Sequence, residues 1–461
     1  MRYYLDPFGC AKNQVDAENM MLHLDRAGMI SVSDAANADL IIVNSCGFIE
    51  SAKRESINAV LCWRKLYPEK KILLAGCLAQ RYAKELAGTL SEADGFFGVE
   101  DVTKIAEAVE GLMGSRESGK LGMRNEELGI KERGSLANRV SSHFSFASSS
   151  RPLLSLPGSA YVKISEGCDN RCSYCAIPLI RGPLRCRIVP DIAGECRGLL
   201  ARGIRELCII GQDIGSYRSG NSGLPELLNA IAEIEGDFWV RLLYMHPDHF
   251  PLPVLDIMER DPRFLPYFDI PFQHSSPAML PAMNRHGTAA AYIALVETIR
   301  RRIPSAVIRT TFLLGFPGET DADFAALLDF QQKIRADWLG CFSWSREEGT
   351  PAYVMKGRVS KKIAAKRQRE IEEKQIPITG ENMDRFVGQT LDVLLEEQFG
   401  DDSEENGKPE GKLWLGRLYC HAPEVDGSAV VLSDNLELTA GTIIPCRVIA
   451  RRGYDCLARI V

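Results

Sequence analysis

The chain has 461 residues, of which 45% are apolar and 8% aromatic, and this length predicts two to four domains rather than one core. A net charge of -6 and a sequence pI near 5.8 argue against a protein that coats nucleic acid non-specifically, although a local basic groove remains compatible with them. Neither an apolar signal region nor a stretch near the roughly 20 residues that span a bilayer is present, so we expect a cytoplasmic protein. In that compartment the 14 cysteines are better interpreted as metal ligands and free thiols than as disulfides.

Residues 1–112 alternate apolar runs with helical patterns, which predicts an open, parallel α/β domain. Strands are predicted at 40–43 and 71–75, and helices at 49–66 and 79–86. Cys10, Cys46 and Cys77 each follow a strand, and the carboxyl ends of parallel strands share one crevice, so we expect these thiols to converge. Small thiols also pack well at strand ends, but Gly or Ser directly precedes each cysteine and lets the backbone approach a bulky ligand. The pattern therefore predicts a cluster site.

A change in composition marks a domain boundary over residues 113–157. This stretch is rich in Gly, Ser and charged residues, which predicts a linker with a Ser-rich insertion near residues 134–150.

Three cysteines with the spacing C-x3-C-x2-C, Cys168, Cys172 and Cys175, open the next region. Iron-sulfur clusters normally take four cysteines, so three leave one iron open to a ligand. A zinc knuckle would require a fourth Cys or His within a few residues, and none stands between Tyr161 and Cys186. Three unrelated core thiols are the other alternative.

This loop resembles the signature of the radical S-adenosylmethionine (SAM) enzymes, including Tyr174 just before the third cysteine. The resemblance implies that the three thiolates hold a 4Fe-4S cluster whose open iron chelates the amino and carboxylate groups of SAM. It also implies that one electron cleaves SAM to methionine and a 5'-deoxyadenosyl radical. Such a radical removes hydrogen from an unactivated carbon, which no side-chain acid or base does at neutral pH.

Residues 158–375 are predicted to form an incomplete β/α (TIM-like) barrel followed by a connecting helix. Six apolar runs between helical patterns predict its strands, at 160–163, 206–210, 238–242, 267–270, 308–314 and 338–342. The helix is predicted over 359–375, with Ser360 as its N-cap. A barrel of this type carries its site at the carboxyl ends of the strands.

Five further residues are candidates for the SAM site. Gln212 and Asp213 follow a strand, where a barrel places ligand-binding groups, although a polar loop there is also simply a turn. Gln273 and His274 resemble a family motif that faces SAM, with His274 as a candidate catalytic group, but a lone histidine is more often structural. Arg309 could hold the SAM carboxylate or be an ordinary surface arginine.

Residues 376–461 lose the helical period. Short apolar runs predict a small antiparallel β-barrel, with a long polar loop at 401–412. From residue 386 to the end there are 13 Asp or Glu and 7 Lys or Arg, so this region is acidic.

The order of the three parts resembles the methylthiotransferases over essentially the whole chain, with a terminal barrel of the TRAM type. The resemblance implies that Cys10, Cys46 and Cys77 hold a second 4Fe-4S cluster whose open iron carries the sulfur or methylthio group. One SAM would supply the methyl group and another the radical. A low-potential electron donor of the flavodoxin or ferredoxin type and a sulfur donor are the implied partners.

Two branches of this family modify either an adenosine of transfer RNA or an aspartate of small-subunit ribosomal protein twelve. The runs at 9–13, 44–52, 76–82 and 342–350 resemble the ribosomal-protein branch. An acidic terminal barrel favours the same branch, because a module that grips RNA should be basic. We therefore expect methylthiolation of an aspartate β-carbon in a ribosomal protein, with RNA contact possible but not favoured. A transfer RNA methylthiotransferase and a redox or structural iron-sulfur protein with an RNA-binding tail remain the alternatives.

Overall fold

The computed structural model describes residues 1–114, 149–399, 412–433 and 437–461. The predicted Ser-rich insertion and the predicted loop at 401–412 lie outside the described residues except at their ends. Contacts divide the chain into unit 1, which comprises Met1–Leu154, Ser165–Arg187 and Ser345–Tyr353, and unit 2, which comprises Ser155–Ile164, Ile188–Trp344 and Val354–Val461. Within the described ranges, every helix is too short or too polar to cross a bilayer.

The strands of the described residues are β1 (Arg2–Pro7), β2 (Ile30–Ser31), β3 (Leu40–Ser45), β4 (Lys71–Gly76), β5 (Gly95–Phe97), β6 (Ser159–Lys163), β7 (Ser165–Glu166), β8 (Arg185–Cys186), β9 (Glu206–Ile210), β10 (Arg218–Ser219), β11 (Ser222–Gly223), β12 (Trp239–Leu242), β13 (Tyr267–Asp269), β14 (Val307–Leu314), β15 (Trp338–Ser343), β16 (Thr390–Phe399), β17 (Lys412–Leu418), β18 (Ala429–Ser433), β19 (Ile443–Arg452) and β20 (Asp455–Ile460). The helices are α1 (Ala11–Arg26), α2 (Glu50–Leu66), α3 (Cys77–Thr89), α4 (Ile105–Gly114), α5 (Ile177–Ile180), α6 (Val189–Ala201), α7 (Leu224–Ala232), α8 (Pro253–Arg260), α9 (Met279–Ala282), α10 (Ala289–Arg302), α11 (Asp321–Ile334) and α12 (Lys361–Asp384).

Unit 1 is built on a five-stranded parallel sheet with the order β2-β1-β3-β4-β5. Successive side chains of a strand point to opposite faces, so Leu40 and Ile42 pack with α1 and α4, whereas Ile41 and Val43 pack with α2 and α3. Both faces are therefore covered, which explains why β3 and β4 contain continuous apolar runs. After β1 the chain adds β2 on one side of β1 and then adds β3, β4 and β5 on the other side. Open α/β sheets bind ligands at such a switch point, which here lies between β1 and β3.

Unit 2 contains all six predicted strands of the incomplete barrel. They pair in parallel in the orders β12-β9-β6 and β13-β14-β15. Helix α12 begins as predicted, with the Ser360 hydroxyl accepting a hydrogen bond from the Ile363 amide at 3.3 Å. It continues past residue 375 and through Pro377 to Asp384, since Ile378 and Met383 extend its buried face.

The last part of unit 2 is a closed barrel of five strands with the order β16-β17-β18-β20-β19. Four of its pairs are antiparallel, but β18 and β20 run parallel, so the prediction of an antiparallel barrel was wrong for this pair. β19 pairs with both β16 and β20, so the barrel closes only if β20 also pairs with β18. At that position β20 runs in the same direction as β18. The predicted fold class, an open α/β domain, an incomplete β/α barrel and a small terminal barrel, is confirmed.

Candidate functional site

Three loops of unit 1 carry Cys10, Cys46 and Cys77 at the carboxyl ends of neighbouring strands. Cys10 is the N-cap of α1 after β1, Cys46 follows β3, and Cys77 begins α3 directly after β4. A Cβ atom added to Gly9 would lie 3.3 Å from Cys46 Cβ, and one added to Gly47 would lie 2.6 Å from Cys77 O. The three loops are therefore in mutual contact at the switch point of the sheet.

Glycine is required for this approach. Gly76 has φ of 96°, which side chains rarely adopt, and its added Cβ would lie 2.6 Å from Ser45 O. The added Cβ of Gly47 would collide with the backbone of the Cys77 loop in the same way. A bulkier residue at either position would push the cysteine loops apart.

Asn13 holds the same loops together and was missed by the sequence analysis. Its Nδ2 donates to Phe8 O at 2.5 Å and to Ser45 O at 3.2 Å, and its Oδ1 lies 3.7 Å from Cys77 Sγ. Asn44 Nδ2 donates in turn to Asn13 O at 2.9 Å. The sequence signal that could have identified Asn13 is a polar residue on the buried face of a helix that begins beside a candidate cysteine.

The charges around these thiols favour a thiolate at one of them. Desolvation by the surrounding protein acts to raise the pKa of Cys10, but the Lys12 and Arg181 charges and two backbone amides outweigh it, so its pKa lies below the ordinary value. Burial raises the pKa of Cys77 to about 12, opposed by Arg181, and also raises that of Cys46. A negative charge on Cys10 raises the pKa of both Cys46 and Cys77, which agrees with the close approach of the three loops. The thiolate is the form that binds metal.

The second cysteine set, Cys168, Cys172 and Cys175, lies on a loop closed by the antiparallel pair β7 and β8. The Cys168 amide donates to Gly182 O at 3.2 Å, and the Cys175 amide donates to Cys172 O at 3.0 Å. Cys172 is buried, whereas Cys168 and Cys175 are half-buried, as is Tyr174. The three thiols thus stand on one short loop with two of them accessible.

Arg181 joins the two cysteine sets, and the sequence analysis did not identify it. Its side chain is 2% exposed, and its Nη1 donates to Asp16 at 2.8 Å and to Glu166 at 2.9 Å. Its Nη2 donates to Cys77 Sγ at 3.0 Å. Glu166 stands two residues before Cys168, so one guanidinium contacts both the SAM-type loop and a cysteine of the sheet. No motif in the sequence points to such a contact between distant segments.

Apolar packing and a second ion cluster support the same part of unit 1. Cys77 packs in one cluster with Ala176, Ile180 and Phe48. Glu347 is 2% exposed and accepts from Lys53 at 3.0 Å and from Arg81 at 2.6 Å. Arg81 also donates to Gly47 O at 3.0 Å, so the Glu347 segment fixes the loop that follows Cys46. Glu347 belongs to the run 342–350 on which the family resemblance was based.

The loop of unit 2 that carries Gln212 and Asp213 follows β9, as expected. Asp213 is 2% exposed, and its Oδ1 accepts from the amides of His246 at 3.0 Å and Gly215 at 3.1 Å. Its Oδ2 accepts from the Ser216 hydroxyl at 2.6 Å. These contacts are those of a carboxylate that orders a turn, so the geometry favours the structural alternative for Asp213.

Gln273 and His274 follow β13 in a constrained backbone. Gln273 has φ of 68°, an uncommon value for a residue other than glycine. His274 is fully buried, and its Nδ1 accepts from the amides of Ser275 at 2.9 Å and Ser276 at 3.0 Å. Burial lowers its pKa to about 4, so the imidazole is neutral with its proton on Nε2. Nδ1 is thus committed to the backbone, and the catalytic role of His274 remains a prediction.

Arg309 is not an ordinary surface arginine, because its side chain is only 15% exposed. Its Nη1 lies 3.2 Å from Asp269 Oδ1, and its Nε lies 3.4 Å from Asp426 Oδ1. Two buried carboxylates therefore neutralise a largely buried guanidinium, which is the geometry of a structural ion pair. The prediction that Arg309 holds the SAM carboxylate gains no support from these contacts.

In the part of the chain that the structure describes, no three Cys, His, Asp or Glu side chains form a group tight enough for a single metal ion. A zinc site requires its sulfur ligands at about 2.3 Å from one point. An iron-sulfur cluster distributes its thiolates over several irons, so this finding concerns single-ion sites. The assignment of the six cysteines as cluster ligands remains a prediction.

Three family models match the chain in succession: an uncharacterized protein family, UPF0004, over residues 2–98, the radical SAM superfamily over 162–330, and the TRAM domain over 387–461. A ribosomal protein uS12 methylthiotransferase RimO of Treponema denticola is 43% identical, covering 98% of this chain and 99% of that protein. RimO proteins of Desulfosudis oleivorans and Thermosipho africanus are each 38% identical and cover 99% and 94% of the chain. The chain belongs to the RimO family of radical SAM methylthiotransferases.

Membership of this family decides the enzyme class, which excludes a purely redox or structural iron-sulfur protein. A radical SAM domain implies a 4Fe-4S cluster and SAM, and the loop with Cys168, Cys172 and Cys175 lies within the matched residues. Solved structures of the radical SAM methyltransferase TsrM from Kitasatospora setae and of the radical enzyme OxsB share the fold, with TM-scores of 0.55 and 0.51. They are 17% and 12% identical and cover 76% and 81% of this chain, and 76% and 56% of their own chains, respectively.

Proposed function

We propose that this enzyme replaces a β-carbon hydrogen of an aspartate in ribosomal protein uS12 with a methylthio group. The observation that carries the proposal is that unit 1 contains two three-cysteine sets, which Arg181 connects. The relatives of the chain are named uS12 methylthiotransferases. Abstraction of an unactivated hydrogen and insertion of sulfur are two different reactions, so two sites of different chemistry suit the overall conversion. A transfer RNA adenosine is the alternative substrate within the same chemistry.

Cys168, Cys172 and Cys175 are the residues that would hold the cluster that binds SAM. The cluster and SAM together supply a carbon radical that can remove hydrogen from an aliphatic carbon. The chain contributes the geometry of the loop. The backbone bonds of Cys168 and Cys175 and the β7-β8 pair fix the loop, and the Leu184 amide, which donates to Asp169 at 3.0 Å, closes its other side.

Cys10, Cys46 and Cys77 are the residues that would hold the second cluster, at which sulfur is delivered. The fit is supported by three thiols on touching loops, by Gly47 and Gly76, which leave no room for a Cβ, and by the cations Lys12 and Arg181. Three cysteines again leave a ligand position open, which a sulfur donor requires. Arg181 would hold the charge of the Cys77 thiolate, and Asn13 would keep the loops in register.

We also propose the partners and the compartment that this chemistry requires. A low-potential electron donor of the flavodoxin or ferredoxin type would reduce the SAM-binding cluster, and a separate sulfur donor would restore the group that is used up. SAM would act in two roles, as methyl donor and as radical source. A substrate in the ribosome and reduced thiols both suit the cytoplasm.

The cluster assignment is tested by anaerobic reconstitution of wild-type protein and two triple variants. Wild-type protein should carry about eight irons per chain if both clusters are cubanes. The change of Cys168, Cys172 and Cys175 to Ala should halve this content and abolish SAM cleavage. The change of Cys10, Cys46 and Cys77 to Ala should also halve it but retain SAM cleavage without any methylthiolated product. Unchanged iron content in either triple variant would refute the assignment of that set.

The substrate is tested by intact mass of uS12 from cells with and without the gene. We expect uS12 to gain a methylthio group in place of one hydrogen only when the gene is present, and fragmentation should locate it on an aspartate. Methylthioadenosine in transfer RNA together with unmodified uS12 would favour the alternative substrate.

A further inference from the structure

A basic run with no acidic residue leads into helix α12. From residue 351 to residue 369 the chain carries seven Lys or Arg and no Asp or Glu, although its net charge is -6. Arg367 is buried and paired with Glu319 and Asp321. The other six are exposed and are called the basic patch: Lys356, Arg358, Lys361, Lys362, Lys366 and Arg369.

The helical part of the basic patch lies on one face. Ala364, Arg367 and Ile371 are buried, and Lys362, Lys366 and Arg369, at spacings of four and three, occupy the solvent side. At 1.5 Å per residue, the stretch from Lys361 to Arg369 spans about 12 Å. Among the ion pairs between described residues, none involves a member of the basic patch, and the exposed Asp321 is already paired with Arg367. Lys356, Arg358, Lys361 and Lys362 have no acidic residue within four positions along the chain, so sequence neighbours do not balance their charge.

The charge of α12 is arranged against the helix dipole. Lys361 and Lys362 stand in the first turn, where no acidic residue is present. The second part of the helix, 370–384, carries five Asp or Glu and one Lys. Cations near the N-terminus and anions near the C-terminus are the unfavourable order for the helix dipole. The arrangement does not serve helix stability, and such local conflicts are expected where a surface has a function.

We propose that the basic patch binds the phosphate backbone of RNA in the small ribosomal subunit, so that the assembled subunit is the preferred substrate. This inference rests on the proposed modification of uS12. It also revises the expectation that RNA contact is not favoured. Binding to phosphates uses flexible cations and needs no apolar centre. Interfaces between proteins are instead depleted in Lys and enriched in aromatic residues, and the basic patch contains four Lys and no aromatic residue.

The distribution of charge over the rest of unit 2 agrees with this partner. The described residues of the terminal barrel carry seven acidic and six basic residues, so most of its acidic excess lies outside the described residues. The described barrel is therefore close to neutral and does not offset the charge of the basic patch. A basic ribosomal protein alone would be repelled by it, whereas a particle that contains RNA would be attracted.

The experiment compares assembled small subunits with free uS12 as substrates, both taken from cells without the gene. The test variant is Lys361→Gln, Lys362→Gln and Lys366→Gln, and the matched control is Arg26→Gln, Lys65→Gln and Lys104→Gln, three exposed cations of unit 1. KM for each substrate is measured at several salt concentrations. SAM cleavage driven by a flavodoxin-type donor is measured in parallel.

For the test variant we expect KM for the subunit to rise about tenfold. The slope of log KM against log salt should fall by about two to three, which is about one for each phosphate that the variant no longer neutralises. KM for free uS12 should stay at its wild-type value or fall, because the variant repels a basic protein less. Donor-driven SAM cleavage and all parameters of the control should stay at wild-type values. Equal losses with both substrates, or no loss with the subunit, would overturn RNA binding. Slower donor-driven SAM cleavage with unchanged subunit modification would assign the basic patch to an acidic electron carrier instead.

The experiment distinguishes a failure of this inference from a failure of the proposed function. Wild-type enzyme that modifies neither substrate would refute uS12 as the target. In that case, filter binding of small-subunit RNA by the wild-type and test proteins still decides the inference, which requires weaker and less salt-dependent binding by the test variant.

Discussion

Two buried arginines organise the two units, and their partners differ. Arg417 in unit 2 donates to Glu206, Glu396 and the Ser159 hydroxyl, and Arg241 adds a second cation to Glu206 at 2.7 Å. Arg181 in unit 1 donates to two carboxylates but also to the Cys77 thiol. In the first network two cations balance two carboxylates, whereas the second ends on a thiol at the carboxyl end of a strand.

Burial and charge alone therefore do not mark a functional site. Both arginines are almost inaccessible, with side chains 3% and 2% exposed, and both lie among perturbed pKa values. Structural ion networks perturb pKa values as strongly as active sites do. The distinguishing feature is the chemistry of the last partner. In the Arg417 network each carboxylate is already paired with a buried cation. The Cys77 thiol instead lies beside the exposed Cys10 and can still bind a ligand.

The largest expected effect comes from breaking the unit 2 network. Arg417→Ala leaves Glu206 and Glu396 buried with less compensation, so the free energy of unfolding should fall by roughly 3–5 kcal/mol. Urea denaturation of the apo-protein measures this. Arg459→Ala, at an exposed position of β20, is the control and should change stability by less than about 0.5 kcal/mol. A loss below about 1 kcal/mol for Arg417→Ala would show that the network is not structural.

Acid should weaken the same network. Burial acts to raise the pKa of Glu206, but Arg417 and Arg241 outweigh it and lower the pKa from 4.5 to about 2. A depressed pKa contributes stability that is complete above the ordinary value and is lost as pH falls from 4.5 through 2. The contribution is roughly 3 kcal/mol at neutral pH. The stability of apo-protein minus that of Glu206→Gln should therefore shrink by about 2 kcal/mol as pH falls from 6 to 3, and the remainder should be lost below pH 3. Parallel pH profiles would contradict this assignment.

Elements with a strong local signal were predicted from sequence. The strands β3 and β4 contain continuous, buried apolar runs, and α12 has a clear N-cap in Ser360. The convergence of the loops at Cys10, Cys46 and Cys77 was predicted because each cysteine follows a strand and the carboxyl ends of parallel strands share one crevice. These features depend on residues close in sequence or on the general geometry of parallel sheets.

Contacts between distant segments were not predictable. Arg181 lies 165 positions from Asp16, and nothing local distinguishes it from a surface arginine. Arg309 and Asp426 show no relation to each other in the sequence, whereas they form an ion pair at 3.4 Å in the fold. Because a buried charge is costly without a partner, such residues acquire meaning only when the fold brings the partner near.

A smaller effect should separate buried from exposed acids of the terminal barrel. Asp426 has a side chain 1% exposed and accepts from Tyr267 at 2.5 Å and from the Ala422 amide at 2.9 Å. Asp426→Asn loses the ion pair and one acceptor, so stability should fall by about 1–3 kcal/mol. Glu437→Gln, at an exposed position, should change it by less than about 0.5 kcal/mol. Equal effects in urea denaturation would mean that the Asp426 contacts contribute nothing.

The smallest expected effect is the most specific to the proposed chemistry. In a protein that also carries Cys168→Ala, Cys172→Ala and Cys175→Ala, only the second cluster should remain, and its midpoint potential can be titrated by electron paramagnetic resonance. A hydrogen bond and a positive charge at a ligand sulfur stabilise the reduced cluster. Arg181→Gln should therefore lower the potential by on the order of 40 mV, equivalent to about 1 kcal/mol for one electron, and Arg181→Lys should lower it less. Arg417→Lys, the matched change in unit 2, should leave the potential unchanged although it also disturbs a buried network. If both Arg181 variants keep the cluster at the wild-type potential, then Arg181 is a structural residue like Arg417, and the contrast between the two arginines fails.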